Sequence, residues 1–218
     1  MLKRTMDIAV AAVALLILCP LFALLAIIVK LDSPGGVLYR ANRMGLGGRR
    51  FRMLKFRSMV EHADEMGPGV SVEHDPRITR AGAVLRRTKL DELPQLINVL
   101  VGDMSLVGPR PEAPEFVQQY SAEDMVVLSV RPGITDWASI RGVDEGRALA
   151  CLENPQAEYQ SSFLAAKLEL QRDYVRNRSF RMDLSILLCT AVTLLRRSWT
   201  PPSSRSHAGR PDLTRSTH

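Results

Sequence analysis

Ile8–Val29 reads IAVAAVALLILCPLFALLAIIV, 22 residues without a charged side chain. Coiled as a helix it measures roughly 33 Å, the depth of a bilayer's hydrocarbon core. A buried core helix of a soluble protein is the competing reading, and a charge-free run of this length fits it less well. A cleaved signal peptide fits poorly, because no small-x-small site with a polar lead-in follows. The segment is expected in a membrane, with the rest of the chain arranged against one membrane face.

Pro20 falls near the middle of the run. It lacks an N–H, removes a helix hydrogen bond and bends the axis. Both flanks are basic. Lys3 and Arg4 precede the run; Lys30, Arg40, Arg43, Arg49, Arg50, Arg52, Lys55 and Arg57 follow it. Positive flanks belong on the cytoplasmic side, and both satisfy that only if the segment enters and leaves on the same face. The expectation is a re-entrant helix broken at Pro20, whose freed backbone groups find partners within the protein.

The chain has 218 residues, which fits one globular domain plus an appendage. Its core must be aliphatic, since 46% of residues are hydrophobic and only 6% aromatic. The net charge of +6 implies an anionic partner: nucleic acid, anionic lipid or phosphorylated substrate. Cys19, Cys151 and Cys189 form no Cys-x-x-Cys pair, and their odd number argues against a disulfide framework and for a reducing compartment. His62, His74, His207 and His218 lack zinc-ligand spacing.

Three parts are expected: a membrane segment over 1–32, a catalytic domain over 33–199, and a disordered Pro/Ser/Arg tail over 200–218. Within the domain, Ser33–Gly36 reads as a turn and Val37–Tyr39 as a short extended piece. Asn42–Arg50 reads as a flexible cationic loop. Phe51–Met59 alternates like a strand with Lys55 and Arg57 on one side. Val60–Pro76 is a polar loop, and Ala83–Lys89 a helix. Leu106–Pro111 is a rigid turn, and Ala113–Tyr120 and Ala157–Val175 are helices. Asp183–Leu195, too short to span a bilayer, suits an interfacial or core helix, with Arg196, Arg197 and Trp199 as anchors. The fold class is mixed α/β, membrane-associated, with short strands and amphipathic interfacial helices.

The chemistry concentrates in Leu90–Pro111, LDELPQLINVLVGDMSLVGPRP. Asp91 and Glu92 stand side by side in an apolar run. Alone, such a pair complements the dipole at a helix start. Here Arg80, Arg86, Arg87 and Lys89 precede it, and Arg110 follows between two prolines. Adjacent carboxylates hold Mg²⁺, which favours oxygen ligands and phosphates. A carboxylate also attacks phosphorus, and arginines clamp phosphate oxygens and stabilise transition-state charge. The Walker A pattern does not occur, nor does any Ser-His-Asp arrangement suggest itself. Residues alone point to phosphoryl transfer at a membrane face.

The blocks KRTMDIAVA, SPGGVLYRANRMGLGG, FRMLKFRSM, DPRITRAGAVLRRTKLDELPQLINVLVGDMSLVGPRPE, RPGITDWASI and YVRNRSFRMDLSILLCT occur in that order. In them the chain resembles the bacterial sugar transferases, the small monotopic polyprenyl-phosphate phosphoglycosyl transferases, in their minimal catalytic form. The resemblance covers nearly the whole chain. It implies transfer of a sugar-1-phosphate from a UDP-sugar to undecaprenyl phosphate, giving the polyprenyl diphosphate sugar and UMP. Such a step opens exopolysaccharide, capsule, O-antigen or glycoprotein glycan synthesis. The implied setting is the bacterial inner membrane, with the catalytic domain facing the cytoplasm.

By the same resemblance Asp91 is the nucleophile and touches the Mg²⁺ cofactor, while Glu92 helps hold metal and geometry. Arg86, Lys55 and Arg110 match basic positions of the site. Arg57, Arg131 and Arg141, within or beside matching blocks, complete the expected substrate- and phosphate-binding set. The helix broken at Pro20 is also a family feature, and some members pair as homodimers. Departures are Lys89 for a common serine, Asp136 and Ser139 in the GITDWAS block, and Gln171-Arg172-Asp173 before YVRN. The last two lie where the family meets the nucleotide sugar. The competing reading is a membrane-anchored basic adaptor for anionic lipid or nucleic acid. No nucleic-acid motif appears and few aromatics exist for base stacking, so no nucleic acid is expected.

Overall fold

The computed structural model describes residues 2–66, 75–141 and 163–199. Helix α1 runs from Leu2 to Asp32, with Pro20 inside it. The expected break at Pro20 is therefore no interruption of the helix. α1 is long and apolar enough to cross a membrane. Its inward stripe has helical spacing: Asp7, Ala11, Leu25 and Val29 are buried, and Ala14, Leu15, Leu18, Leu21 and Phe22 pack between them. The other side, including Val13, Leu16, Ile17, Leu24, Ile27 and Leu31, is exposed.

Strands β1 (Leu38–Met44) and β2 (Arg50–Phe56) form an antiparallel hairpin in which Ala41 faces Met53 and Tyr39 faces Lys55. The stretch expected as a loop from Asn42 is thus strand as far as Met44. Cross-strand pairing outweighs the local signal of its arginines, whose heads reach water while Ala41 and Met53 enter the core. The true turn is Gly45–Arg49, where Gly47 takes a left-handed φ of 65°. β2 ends at Phe56, shorter than expected; beyond it Met59 makes one bridge to Ile78.

Helix α2 (Arg80–Thr88) starts on Thr79, whose Oγ1 accepts the Gly82 N–H at 3.0 Å. A 3₁₀ turn over Leu90–Glu92 leads through Pro94 into α3 (Gln95–Val101). Short parallel strands β3 (Ser105–Val107) and β4 (Gly133–Thr135) pair with each other. Between them lie one turn of helix, α4 (Pro114–Val117), shorter than expected, and a 3₁₀ stretch over Asp124–Ser129. α5 (Trp137–Arg141) follows β4 directly.

Helix α6 (Leu164–Asn177) carries the later part of the helix expected from Ala157; its beginning lies outside the described residues. α7 (Phe180–Trp199) is 20 residues, longer than the expected Asp183–Leu195, because Ser179 caps it upstream through the Met182 N–H. It buries Ile186 and exposes Leu184, Leu188, Val192 and Leu195. The side chains of Arg196, Arg197 and Trp199, the tail 200–218 and the middle of the 60–76 loop also lie outside the described residues.

One core joins the elements: Ala11 of α1, Ala41 and Met53 of the hairpin, Leu96 and Val99 of α3, Leu106 and Val107 of β3, Val175 of α6 and Ile186 of α7. A second cluster of Leu25, Val29, Phe56 and Leu85 ties the far end of α1 to β2 and α2. Polar staples fix the start of α1. Lys3 bonds Asp183 at 2.8 Å, Arg4 bonds the Val99 and Leu100 carbonyls, and Asp7 accepts from Ser105 and the Leu106 N–H.

Candidate active site

Lys89 ends α2 in the left-handed conformation, φ 61°, which a non-glycine residue adopts at a cost of about 1 kcal/mol. That reversal starts the 3₁₀ turn and brings Asp91 and Glu92 up against β2. Lys55 Nζ lies 3.2 Å from Glu92 Oε1. Arg110, delivered from beyond β3, donates Nη1 to Glu92 Oε2 at 3.0 Å and Nη2 to Oε1. Residues separated by 37 and 18 positions thus converge on one carboxylate.

Asp91 is buried where Glu92 is only half-buried, and it is bonded differently: its Oδ1 has no hydrogen-bond partner. Burial pushes the Asp91 carboxyl up, against the pull of Lys55, Lys89 and Arg86. Burial would raise Glu92 as well, but the Arg110 guanidinium and the Lys55 ammonium overcome it and hold Glu92 well below the usual carboxylate range. Burial, and then the neighbouring charges of Arg110 and Lys55, lower Lys89 despite the two acids beside it.

The acids open into a cavity of about 440 Å³, whose wall includes Lys55, Arg86, Lys89, Arg110 and, from β1, Tyr39 and Arg43. That size suits a nucleotide-sized ligand. Of the expected site residues, Asp91, Glu92, Lys55, Arg86 and Arg110 come together here. Arg57 touches the same wall, but its guanidinium donates to the carbonyls of Val29 (3.3 Å), Ser33 (2.6 Å) and Pro34. It clamps the end of α1. Arg131 donates Nε to the Gly102 carbonyl at 2.9 Å, Arg141 is exposed at the end of α5, and neither lines the cavity.

Tyr39 and Arg43 were not foreseen as site residues. Once β1 is known to run through them, the period of two places both, with Ala41, on the cavity side. Gln95 does not line the cavity. It is fully buried, one helical turn after Asp91, and neither amide atom has a partner.

The sequence profile of the bacterial sugar transferases matches residues 1–197. The chain belongs to the bacterial sugar transferase family. This sugar transferase is 42% identical over 198 residues to the UDP-glucose:undecaprenyl-phosphate glucose-1-phosphate transferase of Caulobacter vibrioides, covering 88% of this chain and 69% of that one. It is 40% identical over 207 residues to the exopolysaccharide production protein PSS of Rhizobium leguminosarum bv. phaseoli, covering 90% and 96%. With the UDP-N-acetylgalactosamine-undecaprenyl-phosphate N-acetylgalactosaminephosphotransferase of Aeromonas hydrophila it shares 38% identity over 199 residues. The match covers 89% of this chain but only 44% of that relative's length.

Among the described residues no group of three or more His, Cys, Asp or Glu side chains converges on a metal position. Asp91 still fits one kind of ion. Mg²⁺ binds through one or two carboxylates plus substrate phosphates, and Asp91 presents a buried, unbonded oxygen. Both Glu92 oxygens already accept from cations.

Proposed function

We propose that this protein transfers a sugar-1-phosphate from a UDP-sugar to undecaprenyl phosphate through a covalent Asp91 intermediate. The observation that carries the reading is the division of labour in the dyad. One carboxylate is locked by cations, while its neighbour, which lines the cavity, keeps a buried oxygen unbonded. The relatives' names supply the substrate classes.

The Asp91 oxygen attacks the phosphorus bearing the sugar. The new O–P bond replaces the bond to the UMP oxygen, which leaves with the electron pair. An undecaprenyl phosphate oxygen then attacks the same phosphorus and releases Asp91. Lys55, Arg86 and Arg110 meet the charge on the phosphate oxygens. Glu92 orients Arg110 and Lys55. Asp91 would hold Mg²⁺ together with the donor's phosphates, and the ion would supply charge neutralisation there.

The same reading places the protein on a membrane. A helix of 31 residues is about 46 Å long when straight. Yet Lys3 and Arg4 at its start, and Asp32 at its end, bond the same domain; Asp32 accepts the Ala81 N–H at 3.0 Å. A helix threaded through a bilayer would part those ends onto opposite faces. On this proposal α1 dips into the membrane and returns to the face it entered, bending about Pro20; the basic flanks argue that this face is the cytoplasmic one.

The test is UMP release by the purified protein in lipid, given Mg²⁺, undecaprenyl phosphate and a panel of UDP-sugars. Release with one sugar, dependent on lipid acceptor, supports the reading. Folded protein silent with every sugar would sink it.

A further inference from the structure

Arg110 lies in Pro109-Arg110-Pro111, so its own N–H is the one backbone donor in the tripeptide. That N–H goes to Asp136 Oδ2 at 3.0 Å. The Gln171 amide, from α6, donates to the same oxygen at 2.9 Å and reaches the Arg110 carbonyl at 3.4 Å. The other Asp136 oxygen accepts the Ser139 N–H at 2.6 Å. Asp136 and Gln171 are each 1% exposed, so water cannot substitute for these bonds.

The fold explains the meeting. β3 and β4 lie so close that a Cβ on Gly133 would sit 2.1 Å from the Gly108 nitrogen. Gly108 and Gly133 are joined to the facing strand's end through the Thr135 and Pro109 carbonyls. Asp136, the residue after β4, therefore arrives beside Arg110, three residues after β3. The peptide is held from behind while the guanidinium reaches forward to Glu92.

We propose that Asp136, seated by Gln171, is a positioning residue that aims Arg110 at Glu92 and at the donor phosphates. This rests on the reading that Arg110 serves the transfer reaction. Asp136 touches no reacting atom; it fixes the one rotatable backbone unit between two prolines. α6 thereby gains a hold on the site, since Gln171 reaches Arg110 through Asp136.

The test is a double-mutant cycle on the full chain in lipid, read as radiolabelled transfer at subsaturating donor, with melting temperature in parallel. Asp136→Asn turns an acceptor toward a donor and should lower kcat/KM about tenfold. In an Arg110→Ala background the same change should cost nothing further. Gln171→Ala, which keeps the carboxylate but frees it, should show a smaller loss that also vanishes without Arg110; it decides the matter if Asp136→Asn does not fold. Equal losses with and without Arg110, or full turnover in Asp136→Asn, would overturn the proposal alone. Undiminished turnover in Arg110→Ala would overturn Arg110's place in the site, and the proposal with it.

Discussion

Glu92 accepts two nitrogens of Arg110, while Asp91, the preceding residue, keeps Oδ1 without a partner. Two adjacent acids thus do different work. Removing the fork exposes the difference. Arg110→Ala leaves the Glu92 charge with the Lys55 ion pair, which should cost about 3 kcal/mol of stability. Turnover should fall roughly 10²–10³-fold. Arg110→Lys keeps the charge but not the bidentate geometry and should recover only part of both. UMP release and thermal midpoint read the two effects; wild-type values in Arg110→Ala would refute the arrangement.

Glu92 also sets an acid limit. Its carboxyl is held below the usual range in the fold, so it binds protons more weakly folded than unfolded. That contribution is complete above the ordinary glutamate value, about 4.3, and is lost as pH falls through the depressed one. Arg110→Ala should therefore flatten the wild type's loss of stability in strong acid. Denaturant midpoints taken from pH 6 downward decide it, and parallel curves for the two proteins would count against it.

Asp91 carries the opposite sign. Its folded carboxyl is raised by burial, so stability falls as pH rises from the ordinary aspartate value, about 3.9, through the raised one. Asp91→Asn removes that penalty. At neutral pH the variant should melt at or above the wild-type temperature, yet release no UMP. In the wild type, the acid limb of turnover should lie above the ordinary aspartate value, since attack needs the ionised form. A variant that turns over normally would end the nucleophile assignment.

The dyad and its cations were legible because the residue types and their crowding are local. Asp91, Glu92, Arg86 and Lys89 sit within seven positions and reach one cavity wall. Arg57, Arg131 and Arg141 show what was not legible. A guanidinium suits a carbonyl as well as a phosphate, and only tertiary placement sent Arg57 to the end of α1 and Arg131 to Gly102. The same holds for β1, whose arginines read as loop until Ala41 meets Met53. Asp136 stood out only as a departure, since its partners Arg110 and Gln171 lie 26 and 35 positions away.

Gly82 tests how α2 carries Arg86 to the site. A Cβ there would lie 2.0 Å from the Ser58 carbonyl oxygen, a backbone atom that cannot swing aside. Gly82→Ala must push α2 off β2's end, at about 1–3 kcal/mol, and move Arg86 with it. Gly36→Ala meets nothing closer than 3.7 Å and should be silent. Melting temperature and donor KM should both change in the first variant and in neither sense in the second. A Gly82→Ala protein with native values would mean that α2 has slack the packing does not show.

The two ends of α1 give the last prediction. Leu2 is exposed at one end and Gly36 just past the other, and the domain binds both ends through Lys3, Arg4 and Asp32. With Cys19, Cys151 and Cys189 replaced by serine, Leu2→Cys and Gly36→Cys each offer a single thiol. If α1 returns to the face it entered, a membrane-impermeant maleimide should label both in inside-out vesicles and neither in right-side-out ones. A span would label one thiol in each preparation. That pattern would require Lys3 to leave Asp183 and Arg4 to leave the end of α3, so it would also predict that Lys3→Ala has no effect on stability. The re-entrant arrangement predicts the reverse: Lys3→Ala strips the cation from Asp183, whose side chain is 4% exposed, and should lower the melting temperature.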